Sequence, residues 1–300
     1  MRVQASDPKP EVAAPAPAAV PSPPSRYPRS ELWLRLASAL LLLPLVIALI
    51  AWGGLPFAVL VGAVAGCAVF EVCAMALRPL PWVAWLAVLA AALLPVLGAL
   101  YPGRHEVLLG GYAAASLAVV GAGFVSALAA RDPLAAAPRA IWMPASLAYC
   151  ALPLCLIAAL RTGRDGVWWV VLACALTWMN DTGAYFAGRA FGRHKLLPIV
   201  SPKKTWEGFA GGWLASIAAA FAVKACGFQD LALDDCLVLG LAAGIAGPLG
   251  DLSESLLKRS LGVKDSGRIL PGHGGILDRI DALLFNGVLV FAYADALGRL

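Results

Sequence analysis

Apolar runs of about 18 to 25 residues recur along the chain with only short polar breaks between them. Wound as a helix at about 1.5 Å per residue, such a run crosses roughly 30 Å of hydrocarbon, and it is too long for the strands of a barrel. The pattern predicts nine spans, over 33–53, 55–77, 80–101, 106–129, 139–160, 167–188, 209–226, 236–257 and 283–299. The expected fold is therefore all-α, a polytopic integral membrane protein with about nine transmembrane helices.

Composition sharpens this reading. Of the 300 residues, 61% are hydrophobic and 14% charged, with a mean hydropathy of +0.80, whereas soluble domains carry about 25% charge. If the N-terminus is cytoplasmic, eighteen of the 23 Lys and Arg fall on the inner side. Only Arg104, Arg161, Arg164, Lys224 and Arg299 fall outside, which favours N-in and C-out. The net charge of +5 is then a topology signal and makes no separate case for nucleic acid as a partner. Residues 1–30, with "PKPEVAAPAPAAVPSPPSRYP", are too Pro-rich and aperiodic to fold and read as a disordered cytoplasmic tail. The first apolar run lacks a basic segment at the extreme terminus and a good small-residue cleavage site, so it reads as a retained anchor. The seven cysteines form no C-x-x-C pair and read as inert buried thiols, with a Cys226–Cys236 disulfide as the alternative.

Polar residues divide the remainder into a scaffold, 31–138, and a catalytic region with a cytoplasmic site, 139–300. The scaffold helices offer small-residue faces for close packing and little that reacts. Glu71 is their exception, a carboxylate inside the second span with no partner visible in the sequence. In the second half, Asn180 and Asp181 fall deep in the sixth span. There an ionised Asp needs a cation or a wet cavity, and the alternative is a protonated Asp bonded to a neighbouring helix. The loop "SPKKTWEG" sets Lys203 and Lys204 beside Ser201 and Thr205, where adjacent lysines can donate to phosphate oxygens. In "GIAGPLGDLSESLLKRS", Pro248 among Gly244, Gly247 and Gly250 is expected to kink or open the helix just before Asp251. Ser255 would share the face of Asp251, and Lys258 and Arg259 would follow at the interface. Finally "KDSGRILPGHGGILDRID" places Gly272, Gly274 and Gly275 around His273, as if to let backbone approach a phosphate. Asp278 and Asp281 then lie one turn apart on a helix, a pair suited to a hard divalent cation that also holds phosphates. Carboxylates for metal, bases for charge and glycines for fit make a kit for phosphoryl or nucleotidyl transfer.

The stretch "SLLKRSLGVKDSGRILPGHGGILDRID", from Ser255 to Asp281, resembles the signature of the phosphatidate cytidylyltransferases, or CDP-diglyceride synthetases: S-x-x-K-R, four residues, K-D-x-G, then P-x-H-G-G-x-x-D-R-x-D. "NDTGAYFAGRAFGRHK", "SPKKTWEG" and "GDLSES" resemble the same family in order and spacing, so the likeness covers roughly residues 140 to 300. The resemblance implies an integral membrane enzyme that joins CTP and phosphatidic acid into CDP-diacylglycerol and pyrophosphate. It would sit in the bacterial inner membrane, with its site facing the cytoplasm and the lipid arriving sideways from the bilayer. It also implies Mg²⁺ on Asp251 and Asp278, with a second, monovalent cation such as K⁺, and it leaves Asp281 and Asp181 as supporting residues. A homodimer fits both the family and the small-residue faces.

On this reading a phosphatidate oxygen attacks the α-phosphorus of CTP, while Lys203, Lys204, Lys258 and Arg259 offset phosphate charge. His273 binds phosphate or orients a carboxylate. The candidate substrate-binding set adds Ser201, Thr205, Asn180, Asp181, Ser255, Lys264, Asp265, Gly274, Gly275 and Arg279. Two rivals share part of this pattern. One is an enzyme using CTP on another lipid phosphate or on a polyprenol. The other is an ion-coupled transporter running through Asp181, Glu71 and Asp251, for which the first half shows no inverted copy of the polar motifs.

Overall fold

The structure, a computed structural model, describes residues 29–269 and 274–299, with side chains from residue 40 onward. The Pro-rich stretch up to residue 28, and Gly272 and His273, lie outside the described residues.

Every apolar run forms a helix. The first four are α1 (Arg29–Trp52), α2 (Gly54–Ala76), α3 (Ala84–Leu100) and α4 (His105–Ala129). The run expected at 139–160 is a compound element over Pro133–Thr162: a 3₁₀ turn, α5 (Ala136–Ser146), a π turn (Leu147–Ala151) and α6 (Leu152–Thr162). Then come α7 (Gly166–Phe191), α8 (Trp206–Cys226), α9 (Leu233–Ser260) and α10 (Leu277–Ala296). Among the described residues five elements are long and apolar enough to cross a membrane: α2, α4, Pro133–Thr162, α8 and α9. The apolar part of α1, Leu40–Trp52, and α3 are shorter. Of the nine expected crossings, five thus meet the length and hydropathy required among the described residues.

Two expectations change. The chain is nearly all-α, because a hairpin of β1 (Lys195–Leu197) and β2 (Ser201–Thr205) joins α7 to α8. And α9 does not open at Pro248: it is helical from Leu233 to Ser260 with Pro248 inside. The glycines around Pro248 serve as close-contact points. A Cβ on Gly244 would lie 1.9 Å from Trp213 Cδ1, one on Gly247 3.1 Å from Asn286 Nδ2, and one on Gly250 2.5 Å from the Asp281 carbonyl. Helices pressed that near help keep α9 helical through a residue that elsewhere breaks one.

Small residues also set the α7–α8 seam. Gly183 and Ala187 on α7 meet Gly211 and Ala215 on α8, and a Cβ on Gly211 would fall 2.2 Å from Ala187 Cβ. Polar groups in the same seam satisfy each other: Asn180 Nδ2 donates to Ser216 Oγ at 3.0 Å, and both residues are buried. Since α7 and β2 carry candidate site residues, this seam sets their spacing. Gly211→Val is expected to push the helices apart at a cost of about 1–3 kcal/mol, read as a lower melting temperature in detergent.

Candidate active site

The hairpin brings three separated motifs to one place. A cavity of about 440 Å³ lies between the cytoplasm-facing half of α7 expected from the charge pattern, the hairpin, the start of α8 and the middle of α9. Asn180, Asp181, Lys203, Lys204, Thr205 and Asp251, all named from the sequence, line it. So do Tyr185, Gly188, Arg189, Leu196 and Phe209, which the sequence reading did not single out, and Pro248, which it read as a break in the helix. The volume suits a nucleotide-sized ligand.

Local chemistry fixes each wall. Thr205 ends β2 and caps α8, its Oγ1 accepting from Gly208 N at 3.1 Å, so the chain turns sharply beside the lysines. The hairpin base is clamped by Glu207, which accepts from the Arg193 and His194 backbone N–H groups and contacts His194 Nδ1 at 2.6 Å. Within the cavity, Lys204 Nζ lies 2.7 Å from Asp251 Oδ2, and Ser255 Oγ donates to Asp251 Oδ1 at 3.3 Å. Asp181 and Asp281 lie near enough for their charges to interact with that of Asp251. Two aspartates from two helices, Asp181 and Asp251, thus line the cavity with Lys204 paired to the second, and Asp281 adds its charge from α10.

A second cluster stands beside the cavity. Lys258 Nζ sits between Glu254 Oε2 at 2.7 Å and Asp278 Oδ1 at 2.6 Å. Asp278 Oδ2 accepts from the backbone N–H groups of Ser266 at 3.2 Å and Gly275 at 3.1 Å, and lies 3.1 Å from Ser266 Oγ. Below it, Glu71, 1% exposed, accepts from Ile276 N at 3.0 Å, Leu277 N at 2.9 Å and Ser266 Oγ at 2.8 Å. A helix-2 carboxylate therefore holds the two ends of the "DSGRILPGHGGILD" segment together and meets the N-terminal N–H groups of α10. The glycines follow from this seat: a Cβ on Gly275 would be 1.8 Å from Ser266 Oγ, and one on Gly267 2.4 Å from Glu71 Oε1.

Residues 33–297 match the cytidylyltransferase family. The chain belongs to it. The match takes in the first helices as well, beyond the region where motifs could be read. Among curated proteins, the phosphatidate cytidylyltransferase of Staphylococcus epidermidis is 49% identical over 127 residues, 42% of this chain and 48% of that protein. The one from Staphylococcus saprophyticus is 46% identical over 125 residues and the one from Staphylococcus aureus 47% over 127, each again covering 42% of this chain and 48% of the relative. The aligned part of this family member spans about half the length of the curated relatives it matches.

Not all expected site residues converge. Asp251 and Asp278, which the resemblance pairs on one metal, lie in different settings. Asp251 faces the cavity, while both oxygens of Asp278 are engaged by Lys258, Ser266 and Gly275. Asp281, the second carboxylate of "DRID", lies near enough for its charge to interact with that of Asp251. Gly274, at φ +83°, makes the turn before α10, and the Gly275 N–H is spent on Asp278, so the expected phosphate cradle is partly an internal brace. Ser201 begins β2. Arg259, Lys264, Asp265 and Arg279 are exposed, and Arg259 Nη1 reaches the Val263 carbonyl at 3.5 Å. Ser266 and Glu254 were missed. Glu254 was readable, since it stands one turn before Lys258. The partners of Glu71 lie some 195 to 206 residues away and leave no local trace.

Proposed function

We propose that this chain transfers the cytidylyl group of CTP to phosphatidic acid, giving CDP-diacylglycerol and pyrophosphate. The observation that carries this reading is the cavity in which "NDTGAYFAGR", "SPKKT" and the Asp of "GDLSES" meet, with Lys204 against Asp251. Lys203, Lys204 and Arg189 suit a triphosphate, and the cavity's apolar side at Leu196, Phe209 and Pro248 suits a base or the head of a lipid.

The reaction needs an oxygen of the lipid phosphate to form a bond to the α-phosphorus of CTP as the α–β bridging bond breaks and pyrophosphate carries off the electron pair. The attacking oxygen is already anionic at neutral pH, so the chain need not supply a strong base. What it must supply is alignment and charge. The lysines and Arg189 offset charge on the triphosphate, Asn180 and Tyr185 lie where they could orient it, and Asp278 fixes Lys258 and the loop ahead of α10.

The donor set fits Mg²⁺. Among the described residues no three His, Cys, Asp or Glu side chains make a metal cage, and Mg²⁺ is ordinarily held by one or two carboxylates plus substrate phosphates and water. Asp251 and Asp281 would hold it, Asp181 supporting, and the bound ion would supply charge neutralisation at the phosphates. A monovalent second cation, K⁺, belongs to the same reading. Nine crossings, an N-terminus inside, an inner-membrane location with the cavity opening to the cytoplasm and a homodimer complete the proposal.

With purified protein in detergent, CTP, phosphatidic acid and Mg²⁺, one pyrophosphate should be released per CDP-diacylglycerol formed. Release of CDP in its place, with a phosphate moved onto a lipid alcohol, would instead establish a CTP-dependent kinase.

A further inference from the structure

The hairpin that walls the cavity carries a surface the reaction does not use. Its turn projects Ile199, 95% exposed, and Leu197, 44% exposed, with Phe191 at the end of α7 also 70% exposed. Trp206, the first residue of α8, is exposed at the other foot of the hairpin. From Arg189 to Lys204 the sequence has five Lys or Arg and no acid, and Glu207, the nearest acid at the hairpin base, is committed to His194 and the Arg193 backbone. Apolar tip, flanking cations and aromatic feet are the chemistry of a segment that lies in a membrane interface.

Geometry agrees with that placement. The hairpin runs directly into α8 at Thr205, and its longer, five-residue strand reaches only about 16 Å. The headgroup layer outside the hydrocarbon is itself roughly 5–8 Å deep on each side. From a helix end near the hydrocarbon edge, a hairpin leaning along the surface keeps its tip within or beside that layer. A second copy of this surface is a poor occupant, because two such tips would bring like charges together around a small apolar surface.

We propose that the β1–β2 hairpin docks into the headgroup layer of a bilayer containing anionic phospholipid, Ile199 and Leu197 inserting while Arg193 and Lys195 pair with lipid phosphates. The lysines of β2, Lys203 and Lys204, are thereby set by the membrane, and the wall of the cavity is positioned by the surface on which the lipid arrives. The inference rests on the membrane reading of the helices and stands apart from the identity of the reaction.

The test uses full-length protein with Cys67 and Cys226, the two cysteines that are not buried, replaced by serine, and Ile199→Cys carrying an environment-sensitive fluorophore. It is reconstituted in nanodiscs of phosphatidylcholine with or without phosphatidylglycerol, one chain per disc. Quenching by a water-soluble quencher is expected to fall several-fold when phosphatidylglycerol is present. In Arg193→Gln with Lys195→Gln the fall should disappear while the melting temperature stays that of the parent. Equal quenching in both lipids and in detergent overturns the proposal, as does protection that appears only with two chains per disc. Since no nucleotide is present, neither result depends on the cytidylyl-transfer reading.

Discussion

Asp251→Asn is expected to lower kcat/KM for CTP by about 10²–10³-fold, the loss typical when one preorganised charge-stabilising group leaves an active site. The side chain faces the cavity, ion-pairs with Lys204 at 2.7 Å and is partly exposed, so the fold should survive its loss of charge. Asparagine keeps the shape and the contact with Ser255 but no longer offers an anionic oxygen to a cation. The effect should fall on kcat, and raising Mg²⁺ should recover part of it. Asp281→Asn is expected to behave similarly and more mildly. Unchanged turnover in Asp251→Asn, with an unchanged melting curve, would remove Asp251 from the chemistry altogether.

Glu71→Ala is expected to be the most damaging change outside the cavity. It leaves the Ile276 and Leu277 N–H groups without their acceptor at a buried position, and the Ser266 hydroxyl with Asp278 alone at 3.1 Å. At about 1–3 kcal/mol for each buried donor stranded, and with part of the strain relieved by loop movement, the loss should come to about 3–5 kcal/mol. Thermal unfolding in detergent would register it, and limited proteolysis should cut within 264–276 before elsewhere. Glu71→Gln, which retains one acceptor oxygen, should fall between. A melting temperature equal to that of the parent in both variants would mean that Glu71 does not brace the loop.

These two residues also mark how far the sequence could be read. Asp251 was legible because a lone carboxylate amid apolar residues has few structural reasons to exist; its pairing with Lys204, some 47 positions away, was not. The helices were legible for a similar reason: hydrocarbon demands long apolar runs, so each run found in the chain is a helix. The hairpin was not, since "KLLPIVSPKKT" carries two prolines and no strict alternation, and Glu207, which clamps its base, acts from the next helix. The opening expected at Pro248 did not occur, for a physical reason. Its glycine neighbours resemble a hinge in sequence, whereas in space they are where Trp213, Asn286 and Asp281 come closest to α9. The pairing of Asp251 with Asp278 followed the resemblance. The helical spacing of "DRID" alone left Asp281 open as a further ligand, and its charge does interact with that of Asp251.

The most direct measurement is an experimental structure of the protein in a lipid nanodisc with Mg²⁺ and a CTP analogue whose α–β bridge cannot be cleaved. The account predicts the triphosphate in the cavity between α7, the hairpin and α9, with Lys203 or Lys204 on its phosphates and the ion between those phosphates and Asp251. Nucleotide bound instead against the exposed Arg259, Lys264 and Arg279, with Lys204 still closed on Asp251, would contradict it.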